Sequence, residues 1–438
     1  MPQPGLARPI GNVWHQSRQL PAVMPATFNE SSYSGSDDCN DCCPCFDVGY
    51  DKGIYIDVCD DKCRSFKLNV NGRIQFRYAG FSRDVTSYTD NAGVTIPVRN
   101  RGRFDIERAR LILSGHALNE DWTYFLQLDG DTDRGSQVVF FDYWWAYRFT
   151  ESLNVRAGKA KVPGTRQWIL SAFKTRLVDR PLSTDFFRPT RTQGVWADGK
   201  FGDSVHYEVM LGNGFRTAEL DPQEVNNKFA VASSIYWDPW GDYGPQIVDF
   251  DCLDSPVARL GTSFVYSKQS GLDNAGDPTR ESAFARLSDG TILTNTGALA
   301  PGVTVNEYDI TLISLDAAAK YRGWSFDSEY YLRWLEDLRA DGALPLNELF
   351  QYGFYVEGGC FIVPKTFDFN VRYSQVRGEF GDSNEYAFGF GYYPQQSVNL
   401  KMTLDATWLD GAPTSVRGSD IIVGDDGMLI RAQLQAFF

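Results

Sequence analysis

Strict alternation between apolar and polar residues recurs along this chain from about residue 65 to its end. Because successive side chains of a strand point to opposite faces, this period of two predicts β-strands with one apolar and one polar face. The clearest segment puts one alternating set, Met428, Ile430, Ala432, Leu434, Ala436 and Phe438, on one face and Leu429, Arg431, Gln433, Gln435 and Phe437 on the other.

The same design recurs in sixteen segments, which Gly, Asp, Asn and Pro turns separate. The predicted strands begin near Ser65, Arg103, Asp121, Gln137, Leu153, Arg191, Val205, Asn226, Ala258, Glu307, Trp324, Leu349, Lys365, Asn384, Val398 and Asp426. An even number is what a closed antiparallel barrel of one chain needs. The pattern therefore predicts an all-β fold.

The polar faces of these strands are too large and too charged for a dry interior, so we expect them to line water. The apolar faces would then contact lipid, where a sheet must close on itself to leave no unpaired edge. The predicted fold class is a transmembrane antiparallel β-barrel of sixteen strands. A barrel of that size leaves an aqueous channel.

The amino-acid composition excludes several classes of function. The chain has 438 residues, a formal net charge of −14 and 14% aromatic residues, which suits the aromatic girdles of a membrane interface. The acidic balance argues against nucleic acid as a partner. Three histidines (His15, His116 and His206) make a histidine-based metal or catalytic site improbable. The motifs of a serine hydrolase elbow, a P-loop and a zinc protease do not occur, so we expect neither an enzyme nor a cofactor.

Two parts are expected along the chain, an N-terminal arm over residues 1–64 and the barrel over residues 65–438. The arm is polar, with a cysteine cluster and a short hairpin, and we expect it in the periplasm below a bacterial outer membrane. Residues 1–30 contain no continuous apolar run of a signal peptide. Since a barrel has to cross the inner membrane, we expect that the start of the chain is trimmed or mis-assigned.

Six cysteines precede the barrel, namely Cys39, Cys42, Cys43, Cys45, Cys59 and Cys63. Exported proteins pass through an oxidising compartment, where clustered cysteines form disulfides, so all six are disulfide candidates. Thiolate binding of a metal is the alternative. The sequence does not fix the pairing; Cys59 with Cys63 is one local possibility, and the roles of Cys252 and Cys360 stay open.

Short motifs in residues 65–215 and in the last strand follow one another in a recognisable order. They are Phe66–Gln75, Glu107–Leu111, Asp121–Tyr124, Phe141–Trp144, Leu153–Lys159 and Asp425–Arg431. Taken together, they resemble the phosphate-selective porin O and P family of outer-membrane porins. That resemblance implies a homotrimer of sixteen-stranded barrels that passively conducts anions past basic side chains.

The resemblance carries over to few residues. Arg73 matches a family position that contributes a basic side chain to the anion path. Arg108 matches the second member of an arginine pair whose first member is Glu107 here. The family places a lysine on an inward loop, and Arg166 is the nearest equivalent. Alternate residues of a strand share a face, and this alternation adds further bases to the lumen face. The predicted pore-lining set is Arg73, Arg77, Arg108, Arg110, Arg156, Arg372, Lys401 and Arg431. The same alternation puts five acidic residues on the lumen face: Asp129, Asp327, Glu329, Asp368 and Asp405.

The segment from Lys161 to Arg191 follows the fifth predicted strand, where porins of this type fold a loop inward. Its predicted constriction residues are Lys161, Arg166, Lys174, Arg176 and Arg180. Ile169, Ala172, Phe173 and Leu177 lie at helical spacing, and Pro181 would end such a helix. A basic constriction would lower the free energy of an entering anion. The alternative is an external basic loop that contacts anionic lipid head groups or another subunit.

These observations together predict a passive outer-membrane channel for small hydrophilic solutes that favours phosphate-like anions. Its partners would be outer-membrane lipid, other copies of the chain and small anions. The alternative function is a structural barrel whose N-terminal arm tethers the membrane to another layer of the envelope.

Overall fold

The structure, a computed structural model, describes residues 45–59, 64–130, 137–215, 228–270 and 285–438. Its strands are β1 (Cys45–Tyr50), β2 (Ile54–Cys59), β3 (Ser65–Arg83), β4 (Ser87–Thr89), β5 (Thr95–Pro97), β6 (Arg101–Gly130), β7 (Val138–Thr150), β8 (Leu153–Lys161), β9 (Arg191–Phe201), β10 (Val205–Gly212), β11 (Ala230–Trp237), β12 (Val257–Ser270), β13 (Val305–Tyr321), β14 (Trp324–Ala340), β15 (Leu349–Val363), β16 (Phe367–Gly378), β17 (Gly381–Tyr392), β18 (Leu400–Asp410) and β19 (Gly427–Phe437).

The sheet closes into an antiparallel barrel, because β19 pairs with β3 from Gly427↔Arg83 to Phe437↔Arg73. β6 reverses direction at Leu118, whose φ is 73°. Its first half pairs with β3 and its second half pairs with β7, so β6 supplies two strands of the wall. With β6 counted twice, the wall has sixteen strands, as predicted. The strand starts lie close to those expected from the sequence, and the start expected near Asn226 lies outside the described residues.

Alternation sets the two faces of the wall as predicted. On β19, Ile430 and Leu434 point outward and are 47% and 40% exposed, whereas Arg431 points into the barrel and is 1% exposed. Short turns such as 322–323 and 364–366 join the strands at one end, the short-turn end. Long loops join them at the other, the long-loop end. In outer-membrane barrels the short turns face the periplasm.

A hairpin precedes the wall. β1 pairs with β2, and β2 pairs with residues 65–70 of β3, beyond the point where β19 ends. Most of the predicted N-terminal arm, residues 1–44, lies outside the described residues.

Three long-loop segments close over part of the barrel: residues 84–100 with β4 and β5, residues 285–304, and residues 411–426 with a 3-10 turn at Arg417–Ser419. The first reaches the second, since the backbone N–H of Asn91 donates to Asp289 Oδ2 at 2.8 Å. A fourth segment, residues 238–256, folds in from the short-turn end, where its Asp238 and Asp249 are buried. No helix of the described chain is long and apolar enough to cross a membrane.

Candidate functional site in the barrel lumen

Residues 162–190, here named the inner loop, fold into the barrel between β8 and β9. The loop contains two short helices, α1 (Arg166–Ile169) and α2 (Leu182–Phe187). The helix expected over Ile169 to Leu177 is wrong. That stretch runs along the wall instead, and Pro181, expected to end a helix, stands at the N-cap of α2. A proline suits this place because a helix start needs no backbone N–H from it.

Carboxylates of the wall bind the backbone of the inner loop. Val178 N–H donates to Asp405 at 2.9 Å, and Leu182 N–H donates to Glu385 at 2.7 Å. The first turn of α1 donates to Glu329, with Arg166 N at 2.7 Å. These acceptors satisfy N–H groups that would otherwise be buried without a partner. The loop is therefore fixed by charged groups of the strands.

Cations of the wall bind the loop's carbonyl groups. Lys401 Nζ donates to the carbonyls of Thr175 and Arg176, both at 2.9 Å. Arg372 donates to the carbonyl of Asp179 at 2.8 Å. Lys401 and Arg372, both predicted to line the pore, stand on the inward face of the wall. The structure adds that the inner loop covers them, so they do not face open water.

Asp179 joins the inner loop to the first strands of the barrel. Its Oδ2 lies 3.2 Å from Arg77 and 2.9 Å from Arg108. Burial alone would raise the pKa of Asp179, but Arg108, Arg77 and Arg180 hold it well below its usual range. Arg77 also pairs with Asp420 at 2.8 Å, so the same guanidinium binds the 411–426 loop.

Most of the predicted pore-lining arginines are neutralised by carboxylates. Arg110 pairs with Asp129 at 2.8 Å, Arg372 with Glu357 at 3.0 Å, and Arg431 with Asp405 at 2.8 Å. Arg156 pairs with Glu208. A paired, buried guanidinium offers little net charge to a passing solute. These arginines face the lumen, but mainly they hold the wall and loops together.

The predicted constriction residues are engaged by carbonyl groups or by carboxylates, with one exception. Lys161 donates to the carbonyl of Trp168 at 2.7 Å, and Arg166 pairs with Asp327. Arg176 lies 3.6 Å from Glu357, and Arg180 lies 3.9 Å from Asp179. Lys174 has no carboxylate within ion-pair distance among the described residues. Burial, and then the nearby Arg73 guanidinium, lower the pKa of Lys174 to about 8.

Arg73 is a further lumen cation without a carboxylate partner in the described part of the chain. Lys161 and Lys401 also lack one, but both donate to carbonyl groups of the inner loop. Its Nη1 makes one long contact of 3.4 Å to Ser171 Oγ, and its Nε is buried without a hydrogen bond. The guanidinium lies between two rings, 4.5 Å from the centroid of Phe437 and 5.6 Å from that of Phe173. Arg73 and Lys174 thus form an uncompensated pair of positive charges.

The wall is covered unevenly. Lumen-facing residues of β14 to β19 such as Asp327, Asp405 and Arg431 are at most 1% exposed under the loops. Along β3 and β6 the cover is incomplete: Arg77 and Arg108 are buried, but Arg73 and Arg110 are only partly buried, and Ile169 of the inner loop is 36% exposed. We name this region the open strip, and it consists of Arg73, Arg110, Phe141, Ile169, Phe173, Lys174 and Arg191.

Aromatic rings line the open strip, and sequence reasoning did not find them. Phe141 lies 4.6 Å from Arg110 and 3.6 Å from Arg191. Trp168 of α1 has four cations around its ring: Lys161 at 4.8 Å, Arg180 at 5.2 Å, Arg188 at 4.8 Å and Arg191 at 5.2 Å. Aromatic faces attract cations, so these rings hold closely spaced positive side chains in place.

At the long-loop end, apolar side chains fill the barrel between the wall and the loops. Phe186 and Phe187 of α2 pack with Leu287 and Leu293 of the 285–304 segment and with Leu335 of β14. This core was not expected, because the strands alone suggested a polar lumen throughout. The same cluster reaches Trp196 of β9 and Met210 of β10, so it fills the long-loop end across much of the barrel.

One group of carboxylates in the described residues is close enough to hold a metal ion. The oxygens of Asp105, Glu107 and Asp420 lie within 4.8 Å of one another. Arg103 already lies 2.9 Å from Asp105 and 3.0 Å from Asp420, and Arg77 lies 3.7 Å from Glu107. These arginines supply the positive charge that a cation would bring, so the cluster has a structural role.

The cysteines are only partly described. Cys252 and Cys360 are free thiols and do not form a disulfide with each other. The backbones of Cys45 and Cys59 lie opposite each other in the β1–β2 hairpin. Cys39, Cys42, Cys43 and Cys63 lie outside the described residues, so the expected disulfides remain predictions.

No protein-family model matches the sequence, and no curated protein matches it. Solved structures do match in fold. OmpF of Salmonella typhi, in a complex with daunomycin, superposes with a TM-score of 0.52 at 12% identity, over 90% of this chain and 100% of that chain. The trimer form of OmpT, an outer-membrane protein of Vibrio cholerae, gives 0.51 at 11% identity, over 85% and 99%. The outer-membrane channel DcaP of Acinetobacter baumannii gives 0.50 at 12% identity, over 85% and 97%.

At such identities the likeness concerns the fold alone. It agrees with the closed sixteen-stranded wall described above. The chain therefore has the porin fold, a closed barrel whose outward face is apolar.

Proposed function

We propose that this protein is a passive outer-membrane channel that favours small anions, phosphate-like anions among them. The observation that carries the proposal is the pair Arg73 and Lys174, two lumen cations without a carboxylate partner in the described chain. The charge balance of the open strip and its surroundings has the same sign. Five cations there, Arg73, Arg110, Lys161, Lys174 and Arg191, stand against two carboxylates, Asp129 and Asp142.

The physical effect of such a pair on an anion is large. A unit charge at about 4 Å from a cation gains about 4 kcal/mol at an effective dielectric constant near 20. The donors of Arg73 that lack strong partners suit an oxyanion, which guanidinium groups bind with charge-assisted hydrogen bonds. Because the groups stand on fixed walls and no reaction chemistry is implied, passage is by diffusion down a gradient.

Single-channel recording in planar bilayers tests the proposal. We expect an ohmic current, and a reversal potential in a KCl gradient that shows anion preference. The double variant Arg73→Gln, Lys174→Gln should lose most of that preference. Arg148→Gln is the matched control, because Arg148 is an exposed base at the short-turn end, paired with Asp121 at 3.1 Å. Cation preference of the unmodified protein would contradict the proposal.

The second candidate, a structural barrel, is favoured by the extent of the packed interior. Loops and apolar side chains cover most lumen-facing groups from β14 to β19. Bilayer recording separates the two functions, since folded protein that carries no current at any voltage would support the structural barrel.

We further propose that the protein assembles as a homotrimer. The V. cholerae OmpT structure with this fold was solved as a trimer form, which supports the proposal. The mass of the detergent-solubilised protein, corrected for bound detergent, measures the oligomeric state. A mass of one chain in every mild detergent tried would contradict it.

A further inference from the structure

An apolar trough runs along the outward face of β15 near the short-turn end. Its floor is Gly358 and Cys360, which have little or no side chain. Phe326 and Trp324 of β14 stand opposite these two residues on one side, and Val371 and Phe369 of β16 stand opposite them on the other. The trough encloses about 480 Å³.

The trough opens to the membrane and not to the lumen. Phe326 and Trp324, which form one wall, are 44% and 65% exposed. A side chain at Gly358 would point into open space, since its Cβ would meet only the Ser325 carbonyl oxygen at 3.4 Å. An elongated apolar depression on a lipid-facing surface suits a hydrocarbon chain, because it buries that chain on three sides.

Two basic residues flank the end of the trough where the membrane boundary lies. Arg322 stands in the turn between β13 and β14, and Lys365 stands in the turn between β15 and β16. Arg322 is exposed, and its guanidinium lies 5.1 Å from the Tyr321 ring. Lys365 is 45% exposed and pairs at 3.1 Å with the exposed Asp251, a contact of little strength in water.

Both bases occupy strained backbone positions. The φ angles are 49° at Arg322 and 55° at Lys365, in the left-handed region that glycine and asparagine adopt at lower cost. Two neighbouring turns thus each hold a long cation where a smaller residue would be less strained. Basic side chains at this depth bind the anionic head groups of lipids.

We propose that the trough holds one acyl chain of an anionic phospholipid of the periplasmic leaflet, with its phosphate between Arg322 and Lys365. The trough provides the apolar contact and the turns provide the charge complementarity. This site lies on the outside of the barrel, so it does not depend on the proposed channel function.

Native mass spectrometry of the detergent-solubilised protein, titrated with dioleoylphosphatidylglycerol, tests the proposal. We expect one tightly held lipid per chain. The double variant Arg322→Ala, Lys365→Ala and the filled-trough variant Gly358→Leu should each weaken binding about tenfold or more. Glycerophosphoglycerol, which has the head group without acyl chains, should not bind, and this separates a lipid site from a simple phosphate site.

Two control variants distinguish this site from general lipid contact. Ala406→Leu enlarges a small outward residue on β18, between Phe388 and Ile430, and Arg148→Ala removes a base at the short-turn end. Both should bind lipid as the unmodified protein does. The proposal fails if these controls lose the lipid equally, if the turn and trough variants retain it, or if a second copy of the chain, detected by its mass, occupies the trough. If Gly358→Leu does not fold, lipid binding by the double variant Arg322→Ala, Lys365→Ala alone tests the proposal.

Discussion

Lys174 differs from the other bases of the inner loop because no carboxylate of the described chain neutralises it. Its pKa of about 8 reflects burial first and the charge of Arg73 second. A lysine is charged below its pKa and neutral above it. The positive charge of the open strip should therefore depend on pH in the range just above neutrality.

We expect the anion preference of the channel to fall as the pH rises from 7 to 9. With a pKa of about 8, the charged fraction of Lys174 drops from roughly nine-tenths to roughly one-tenth over this range. Reversal potentials in a KCl gradient at several pH values measure the change. Lys174→Arg should keep the preference constant across the range, because arginine stays charged. A pH dependence that persists in Lys174→Arg would assign the titration to another group.

Asp179 shows what a single buried carboxylate does in this lumen. It pairs with Arg77 and Arg108, both buried, and its loss would leave Arg77 with Asp420 and Arg108 with only the more distant Glu107, at 4.0 Å. We expect Asp179→Asn to lower the free energy of unfolding by about 3–5 kcal/mol, the usual cost of breaking a buried ion pair from one side.

Urea unfolding in lipid vesicles, followed by tryptophan fluorescence, measures that loss. Asp121→Asn is the control, because Asp121 pairs with Arg148 at 3.1 Å on the surface, with side chains 42% and 52% exposed. Such a pair contributes about 1 kcal/mol or less. Equal effects of the two substitutions would show that Asp179 does not fix the inner loop.

Strands and loops differ in how far the sequence determines them. Alternation is a local property, so it placed Arg431 inside and Ile430 outside correctly. The contacts of the inner loop are not local. Leu177 has helical spacing with Ile169 and Phe173, but it is buried against Gly389 of β17 while Ile169 faces solvent, which no helix of that register would permit.

The sequence likewise could not predict which of the lumen bases have their charge neutralised. The alternation along their strands predicts that Lys401 and Arg372 line the pore. Whether such a base faces water or a loop carbonyl depends on how the inner loop packs, which involves residues about two hundred positions away. Arg73 and Lys174 stand out only once the carboxylate or carbonyl partners of the other lumen bases are known.

The inner loop is held in place by close contact between α2 and the wall. A Cβ at Gly353 of β15 would lie 2.7 Å from the Phe187 ring and 2.5 Å from the Gln375 carbonyl oxygen. We expect Gly353→Val to displace α2 and thereby to change the single-channel conductance and its noise. Gly358→Val, on the same strand but directed outward into open space, is the matched control and should conduct normally.

The whole barrel combines a filled part with an open part. Charged pairs and apolar loops fill the lumen along β14 to β19, while lumen-facing residues of β8 to β11 near the short-turn end, such as Asn154, Glu208 and Ser234, are only half-buried. A sixteen-stranded wall is wide enough for both. Solutes should therefore pass on one side of the barrel only.

Two isosteric substitutions test this division. Ser234 lies on β11 opposite Glu208, on the open side, and Ser374 lies on β16, where its hydroxyl is within 2.9 Å of Ser183 and the residue is 0% exposed. We expect a membrane-impermeant, negatively charged methanethiosulfonate to modify Ser234→Cys rapidly and to lower the anion current. Ser374→Cys should react much more slowly, because the inner loop covers that position.

The unmodified protein provides the baseline for this experiment, since its native thiols react with the same reagent. If Ser374→Cys reacts as fast as Ser234→Cys, the inner loop leaves the wall on the timescale of the measurement. The open strip would then not be the conduction path. If neither reacts while the protein conducts, solutes pass neither position. Reaction confined to Ser234→Cys requires that the path pass β11 and avoid the part of the wall that the inner loop covers.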